Sequence, residues 1–159
     1  MTQPVDLQSL LARLQRLEAA EAIRTLIYDY AFHLDMNHPQ QLGELFVENC
    51  EISYAPNFGA VGREAYAKTL DGIGSYFVAT SHHVSNIVIE FTSDEAARVR
   101  SVVYAWHRYS RERPDSYVWG QYRDDVVKVD GVWRFRKRVL CNAGSQDFHV
   151  KEANPIGRA

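Results

Sequence analysis

The feature that most constrains the fold is the run of strand-like segments in the second half of the chain. From His82 onward, β-branched and aromatic residues dominate and polar turns separate four segments. These segments are His82–Phe91, Ala97–Tyr109, Ser116–Val129 and Val132–Cys141. Asp130-Gly131, between the last two segments, is a typical two-residue hairpin signal. Because strands joined by short turns pair side by side, this half of the chain predicts an antiparallel sheet.

The first half of the chain is mainly helical. Leucines recur at helical spacing from Leu7, after a predicted N-cap at Asp6, and the apolar residues of Glu21–Asp35 also share one helix face. These two stretches either form one helix or abut each other. The segments that follow predict a short helix at Gln40–Val47, a strand at Cys50–Tyr54, a turn region at Pro56–Gly62 and a helix at Arg63–Gly74. Helices followed by hairpin-connected strands predict an α+β fold, with a curved antiparallel sheet closed by the N-terminal helices.

The composition excludes several classes of protein. A chain of 159 residues suits one domain, residues 1–159, and the near-neutral net charge of −2 argues against a nucleic-acid partner. No apolar run is long enough for a signal peptide or a membrane span. The two cysteines, Cys50 and Cys141, lie among strand-like residues, which predicts buried free thiols and, with the missing leader, a cytoplasmic protein. The tail, Gln146–Ala159, is expected to pack loosely or to cover a partner subunit.

The curved sheet predicts a cavity against the Glu21–Asp35 helix, and a few polar residues could line it. Tyr30 lies inside the apolar stripe of that helix and Asp35 at its edge, where either group is costly to bury without a partner. His82 and His83 are adjacent, so at most one of them faces the cavity. His82 paired with Asp35 would form a His–carboxylate dyad suited to proton abstraction. The alternative is a solvated Asp35 and a surface histidine.

Other kinds of site find little support in the sequence. There is no nucleophile elbow, no glycine-rich phosphate loop and no metal-ligand spacing, so we expect neither a metal nor a cofactor. Aromatic residues of the strands predict an apolar cavity and a hydrophobic, ring-containing substrate. They are Tyr76, Phe77, Tyr104, Trp106, Tyr109, Tyr117 and Trp119.

The order of these features resembles a known superfamily. The matching positions are Tyr30, Asp35, Leu45-Phe46, Tyr54, His82, Asn86 and the hairpin Asp130-Gly131-x-Trp133-Arg134-Phe135. The sequence is similar to the nuclear-transport-factor-2-like superfamily, in its SnoaL-like branch, which includes scytalone dehydratase, bile-acid 7α-dehydratase and hexachlorocyclohexane dehydrochlorinase. The resemblance covers about residues 15–145. It implies a cone-shaped sheet and a homo-oligomer, with a trimer ahead of a dimer.

The resemblance also implies roles for individual residues. His82 would be the general base, with Asp35 as its partner. Tyr30 and Tyr54 would donate hydrogen bonds to the substrate or its leaving group. Arg138 matches an arginine that some members place in the pocket, and His107 lies near the strand of a second pocket histidine. The candidate substrate-binding residues are Asn86, Trp106, Trp119 and Arg138.

We therefore expect a cofactor-independent lyase, dehydratase-like, or next an isomerase. Two alternatives share the fold. One is a non-catalytic protein that binds a small molecule or acts as an accessory. The other is the small subunit of a ring-hydroxylating dioxygenase, which would require a large-subunit partner.

Overall fold

The structure is a computed structural model that describes residues 6–146 and 154–155. Its helices are α1 (Leu7–Asp35), α2 (Pro39–Glu44) and α3 (Arg63–Tyr76). Its strands are β1 (Phe46–Ala55), β2 (Phe58–Val61), β3 (Phe77–Ser93), β4 (Ala96–Tyr109), β5 (Ser116–Val129), β6 (Val132–Gln146) and β7 (Asn154–Pro155). The predicted α+β class is confirmed, with a curved, open sheet and an N-terminal helix.

Helix α1 is one continuous helix of two different halves. Asp6 caps it as predicted, since its carboxylate accepts hydrogen bonds from the backbone N–H groups of Gln8 and Ser9. The C-terminal half buries the predicted stripe: Ile23, Leu26, Ile27, Tyr30 and Ala31. The leucines of the N-terminal half are exposed, from Leu7 to Leu17. The helix therefore closes the sheet with its second half, which ends at Asp35.

The strands follow the order β2-β1-β6-β5-β4-β3, and β7 pairs with β6. Neighbours in the main path are antiparallel except for β1 and β6, which run parallel. The hairpin between β5 and β6 is the predicted one, because Asp130 and Gly131 have φ of 51° and 79°. The long central strands β4, β5 and β6 supply the floor of the cavity described below.

Two segments before the long strands differ from their predictions. The short helix ends at Glu44, and Phe46 already begins β1, where Arg63 donates a 2.6 Å hydrogen bond to its carbonyl. The predicted turn region contains the short strand β2, paired with β1. In both places, pairing with a neighbouring strand overrode the conformation that the local sequence predicted.

Two strands contain irregularities that change which face a side chain occupies. In β3 the register shifts between Ser85 and Val88, and Asn86 takes a φ of 51°. In the pairing of β5 with β6, Asp125 faces Lys137 and Val126 faces Phe135, so Arg136 is an extra residue in β6. The strict alternation used for the sequence predictions therefore fails at these two positions.

The remaining predictions concern the cysteines, the termini and the membrane. Cys50 and Cys141 are buried free thiols, as predicted. The predicted loose tail lies outside the described residues, apart from Gln146, Asn154 and Pro155. No helix in the described part of the chain is long and apolar enough to cross a membrane.

Candidate active site

A cavity of about 860 Å³ lies between the sheet, the end of α1 and α3. Its apolar wall includes Val103, Ala105, Val118 and Leu140. Three of the predicted aromatic residues also line it: Tyr76, Phe77 and Tyr109. This volume is within the usual range for small-molecule sites. A mainly apolar wall with a few polar side chains suits a hydrophobic ligand.

Asp35 and His82 meet at the wall of this cavity. The Nδ1 atom of His82 lies 2.6 Å from Oδ1 of Asp35, and the backbone N–H of His82 donates to Oδ2 at 2.8 Å. Thr80 also donates to Oδ1, at 2.8 Å. The His82 side chain is 7% exposed and lines the cavity. Because an ionised carboxylate accepts the Nδ1 proton, Nε2 is left as the basic nitrogen of the ring.

Asp35 carries its charge in this setting. Burial opposes ionisation of the carboxyl, but the hydrogen bonds from His82 and Thr80 outweigh it and lower the pKa of Asp35. Three hydrogen bonds from β3 thus hold the Asp35 carboxylate in place, and one of them fixes the orientation of the imidazole.

His107 supplies a second imidazole in the cavity. Its ring lies edge-on to that of His82, with ring centroids 5.3 Å apart. The sequence left the face of His107 open. Alternation with the buried residues Val103 and Ala105 of β4 places it inside.

Three tyrosines form a chain of hydrogen bonds beside the imidazoles. The hydroxyl oxygens of Tyr30 and Tyr54 are 2.6 Å apart, and those of Tyr54 and Tyr66 are 2.8 Å apart. Tyr30 and Tyr54 line the cavity; Tyr30 and Tyr66 are both fully buried, whereas Tyr54 is partly exposed. Burial raises the pKa of Tyr54 and of Tyr66 well above the usual range, so both phenols keep their protons at neutral pH.

The prediction that Arg138 binds substrate is wrong. Arg138 is fully buried, is not among the described residues that line the cavity, and donates two hydrogen bonds to Asp124 at 2.9 and 2.8 Å. Its guanidinium packs against the rings of Tyr30, Tyr122 and Phe135. Burial disfavours the charge, but Asp124 outweighs this effect and raises the pKa of Arg138.

The register shift in β6 turns Arg138 inward and leaves Arg136 and Lys137 outside.

Three further candidate substrate-binding residues also lie away from the cavity. Asn86 is exposed at the β3 irregularity. Trp119 is 41% exposed and stacks with Tyr117 on the outer face of the sheet. Trp106 donates its indole N–H to Asp115 at 3.0 Å. The strand preference of the two tryptophans is the same on either face, so composition alone could not assign them to a side.

Sequence reasoning also missed several residues of the site. Thr80 lies two residues before His82 on the same face, which alternation could have shown. Asn142 lies one residue beyond the predicted end of the last strand, and its Oδ1 is buried with no hydrogen-bond partner among the described residues. Tyr66 had no signal beyond helical spacing.

Within the described ranges, no group of three or more His, Cys, Asp or Glu converges in a way that could hold a metal ion.

Comparison with known proteins identifies relatives of this chain in sequence and in structure. Residues 15–139 match the family described as the SnoaL-like domain. The crystal structure of a candidate scytalone dehydratase from Novosphingobium aromaticivorans DSM 12444 is 59% identical, with a TM-score of 0.87, over 91% of this chain and 97% of that one. No curated protein matches the sequence.

More distant structures share the fold. A type 2 hexachlorocyclohexane dehydrochlorinase is 20% identical, with a TM-score of 0.80, over 92% of this chain and 99% of that one. A type 3 form from Novosphingobium barchaimii LL02 is 18% identical, with a TM-score of 0.78, over 90% and 99% of the two chains. The match over residues 15–139 and the 59% identical relative establish that this chain belongs to the SnoaL-like domain family, within the nuclear-transport-factor-2-like fold.

Proposed function

We propose that the protein is a cofactor-independent lyase of the dehydratase type, with His82 as general base. The observation that carries this proposal is the 2.6 Å contact between Nδ1 of His82 and Asp35 at the cavity wall. It leaves Nε2 as the basic nitrogen at an apolar cavity. The candidate dehydratase at 59% identity supports the same class of reaction.

The reaction would proceed by proton abstraction and loss of water. Nε2 of His82 takes a proton from a carbon next to a carbonyl, and the electron pair moves to the carbonyl oxygen as an enolate. Asp35 stabilises the imidazolium, and a phenol of the Tyr30–Tyr54 pair donates to the oxyanion. When the enolate collapses, the bond from the β-carbon to its hydroxyl breaks, and the imidazolium returns the proton to the departing hydroxide. The products are an unsaturated ketone and water.

The cavity suggests the class of substrate. Its apolar wall and its volume of about 860 Å³ suit a ring-containing molecule with a ketone and a β-hydroxyl group. The buried Oδ1 of Asn142 is a hydrogen-bond acceptor at the wall and suits a hydroxyl of such a molecule. In a ketone with a β,γ-double bond and no leaving group, the same proton abstraction gives a dienolate, and return of the proton to the γ-carbon moves the double bond, which is isomerisation.

The test uses a panel of ring ketones, with and without a β-hydroxyl, in deuterated water. Native protein should exchange the proton next to the carbonyl and release water from the hydroxylated members. The variants His82→Ala and Asp35→Asn should lose at least 10²-fold in rate, the lower limit typical of general-base catalysis. His83→Ala is the matched control, because His83 is exposed next to His82 and should keep the native rate.

Other outcomes would favour the alternatives. A ketone that binds equally to native protein, His82→Ala and Asp35→Asn, with no exchange in any of them, would indicate a binding protein. Co-purification with a large subunit from the native host would indicate a dioxygenase small subunit.

A further inference from the structure

The buried tyrosines around the cavity differ in what their hydroxyl groups bind. Tyr30 and Tyr66 are both 0% exposed, and each hydroxyl forms a hydrogen bond with that of Tyr54. Tyr109 donates its hydroxyl proton to Ser116 at 3.0 Å. Because a buried O–H without a partner is costly, the protons of these buried hydroxyl groups are committed to bonds within the protein.

Tyr122, on β5, differs from these residues. It is 3% exposed and lines the cavity, yet its hydroxyl forms no hydrogen bond with any of the described residues. The oxygen is not sealed inside the protein either, so it opens on the cavity. Burial raises the pKa of Tyr122 well above the usual range, and the phenol therefore keeps its proton at neutral pH. Such a hydroxyl is a hydrogen-bond donor available to a ligand.

Two contacts hold the Tyr122 ring in one position. The Tyr30 ring meets it edge-on, with ring centroids 5.8 Å apart, and the guanidinium of Arg138 lies 4.2 Å from its centroid. A ring fixed in this way presents its hydroxyl at one place and loses little freedom when a ligand binds. The positive charge of Arg138 also stabilises the negative charge that a phenol oxygen gains on donating, which makes Tyr122 a stronger donor.

We propose that Tyr122 is a further substrate-binding residue, whose hydroxyl donates a hydrogen bond to a carbonyl or hydroxyl oxygen of a ring-containing ligand. An apolar ligand without such an oxygen would cover the hydroxyl and leave it with neither water nor a partner. Tyr122 thus selects oxygenated ring compounds over hydrocarbons of the same shape. This inference deepens the proposed function and rests on it for the use of the cavity as the substrate site, but the selection itself requires binding alone.

Binding of the two-ring ketone 1-tetralone and of its parent hydrocarbon, tetralin, tests the proposal on the full chain by equilibrium dialysis. Tyr122→Phe should bind 1-tetralone about fivefold more weakly than native protein and should bind tetralin at least as well. Tyr28→Phe is the matched control, since Tyr28 is exposed on α1, and it should bind both compounds as native protein does. Equal affinity of native protein and Tyr122→Phe for 1-tetralone, or native protein that binds neither compound, would overturn the proposal.

Thermal unfolding supplies a second test that needs no ligand. Because the Tyr122 hydroxyl bonds to none of the described residues, Tyr122→Phe should keep the native Tm or raise it. Tyr66→Phe should lower the Tm, since it removes the 2.8 Å hydrogen bond to Tyr54. A Tyr122→Phe variant that loses as much as Tyr66→Phe would mean that the Tyr122 hydroxyl is bonded within the protein, and the proposal would fall.

The binding result also separates this inference from the proposed function. Weaker binding of 1-tetralone to Tyr122→Phe, with no deuterium exchange by native protein, would keep Tyr122 as a ligand donor and refute the lyase. Deuterium exchange by native protein, with unchanged 1-tetralone affinity in Tyr122→Phe, would refute the donor role and leave the lyase intact.

Discussion

The guanidinium of Arg138 lies 3.9 Å from the centroid of the Tyr30 ring, and Tyr30 in turn lines the cavity that Arg138 does not reach. Asp124 holds the guanidinium by two hydrogen bonds, and both side chains are fully buried. A buried ion pair covered by aromatic rings thus lies beneath the candidate site. Because Tyr30 packs on the guanidinium of this pair, loss of the pair should also displace Tyr30.

Replacing Arg138 with Met should destabilise the protein strongly. The change leaves the carboxylate of Asp124 buried without its partner, which costs about 3–5 kcal/mol of unfolding free energy. Urea unfolding measures this loss. The double variant Arg138→Met/Asp124→Leu should recover part of it, because both charges are then gone.

Arg136→Met is the matched control for this experiment. Arg136 is on the same strand, but its side chain is 56% exposed and its partner Asp125 is 3.9 Å away. Its loss should change the unfolding free energy by less than about 0.5 kcal/mol. Arg138→Met with as small an effect would show that the buried pair is not a determinant of stability.

Thr80→Val should remove one of the hydrogen bonds that orient the Asp35 carboxylate and leave the rest of the site in place. Thr80 donates one of three hydrogen bonds to that carboxylate, and valine keeps its shape without the hydroxyl. A hydrogen bond to a charged group contributes about 1.5–3 kcal/mol to stability. Only the part of this that differs between the ground state and the transition state slows the reaction, so we expect the rate on ring ketones to fall by roughly 10-fold, less than in Asp35→Asn. Exchange kinetics measure this. Thr25→Val, on the exposed side of α1, is the control, and equal rates in the two valine variants would contradict the role of Thr80.

Much of the fold follows from local patterns in the sequence. The helical spacing that ends at Asp35, the N-cap at Asp6 and the Asp130-Gly131 hairpin each depend on a few neighbouring residues, and the structure contains all three. The pairing of Asp35 with His82 came from the family resemblance, because helical spacing placed Asp35 at the edge of the buried stripe but strand alternation left open whether His82 or His83 faces the cavity.

The rest of the site depends on features that periodicity does not report. The register shifts in β3 and β6 change the face of Asn86 and of Arg138, and nothing local in either segment marks the extra residue. Trp106 and Trp119 suit a strand on either face. The chain of Tyr30, Tyr54 and Tyr66 joins α1, β1 and α3, so it requires the tertiary structure.

The outer face of the sheet leads to a proposal about assembly. Tyr104 and Trp119 are 36% and 41% exposed and lie side by side with Tyr117. Contiguous exposed apolar surface is typical of interfaces, and the exposed leucines of α1 offer a second such surface. We propose that copies of this chain associate through these surfaces as a homo-oligomer, with a trimer ahead of a dimer.

Trp119→Glu should dissociate the assembly, because a charge replaces an apolar side chain at the interface. Analytical ultracentrifugation should show a multiple of the chain mass for native protein and a lighter species for the variant. Val129→Glu, at the exposed end of β5, should keep the native mass. A native protein that sediments as a monomer would refute the proposal.

The contribution of Asp35 to stability should depend on pH in one direction. Its pKa is lowered from 3.8 in the folded state, so the unfolded chain binds the proton first as pH falls. The stabilisation that the charged Asp35 carboxylate contributes is therefore fully present above the unfolded-state pKa of 3.8. It is lost as pH falls through the lower pKa of the folded state. The advantage of native protein over Asp35→Asn in unfolding free energy should be smaller at about pH 3 than at about pH 5.

Urea unfolding of both proteins at the two pH values measures this difference. Near-ultraviolet circular dichroism should first show that each protein is folded before urea is added. An advantage that stays constant or grows between the higher and the lower pH would mean that Asp35 is not held as the charged partner of His82 and Thr80. The same result would weaken the assignment of Nε2 as the basic nitrogen, since that assignment requires an ionised Asp35 to accept the Nδ1 proton.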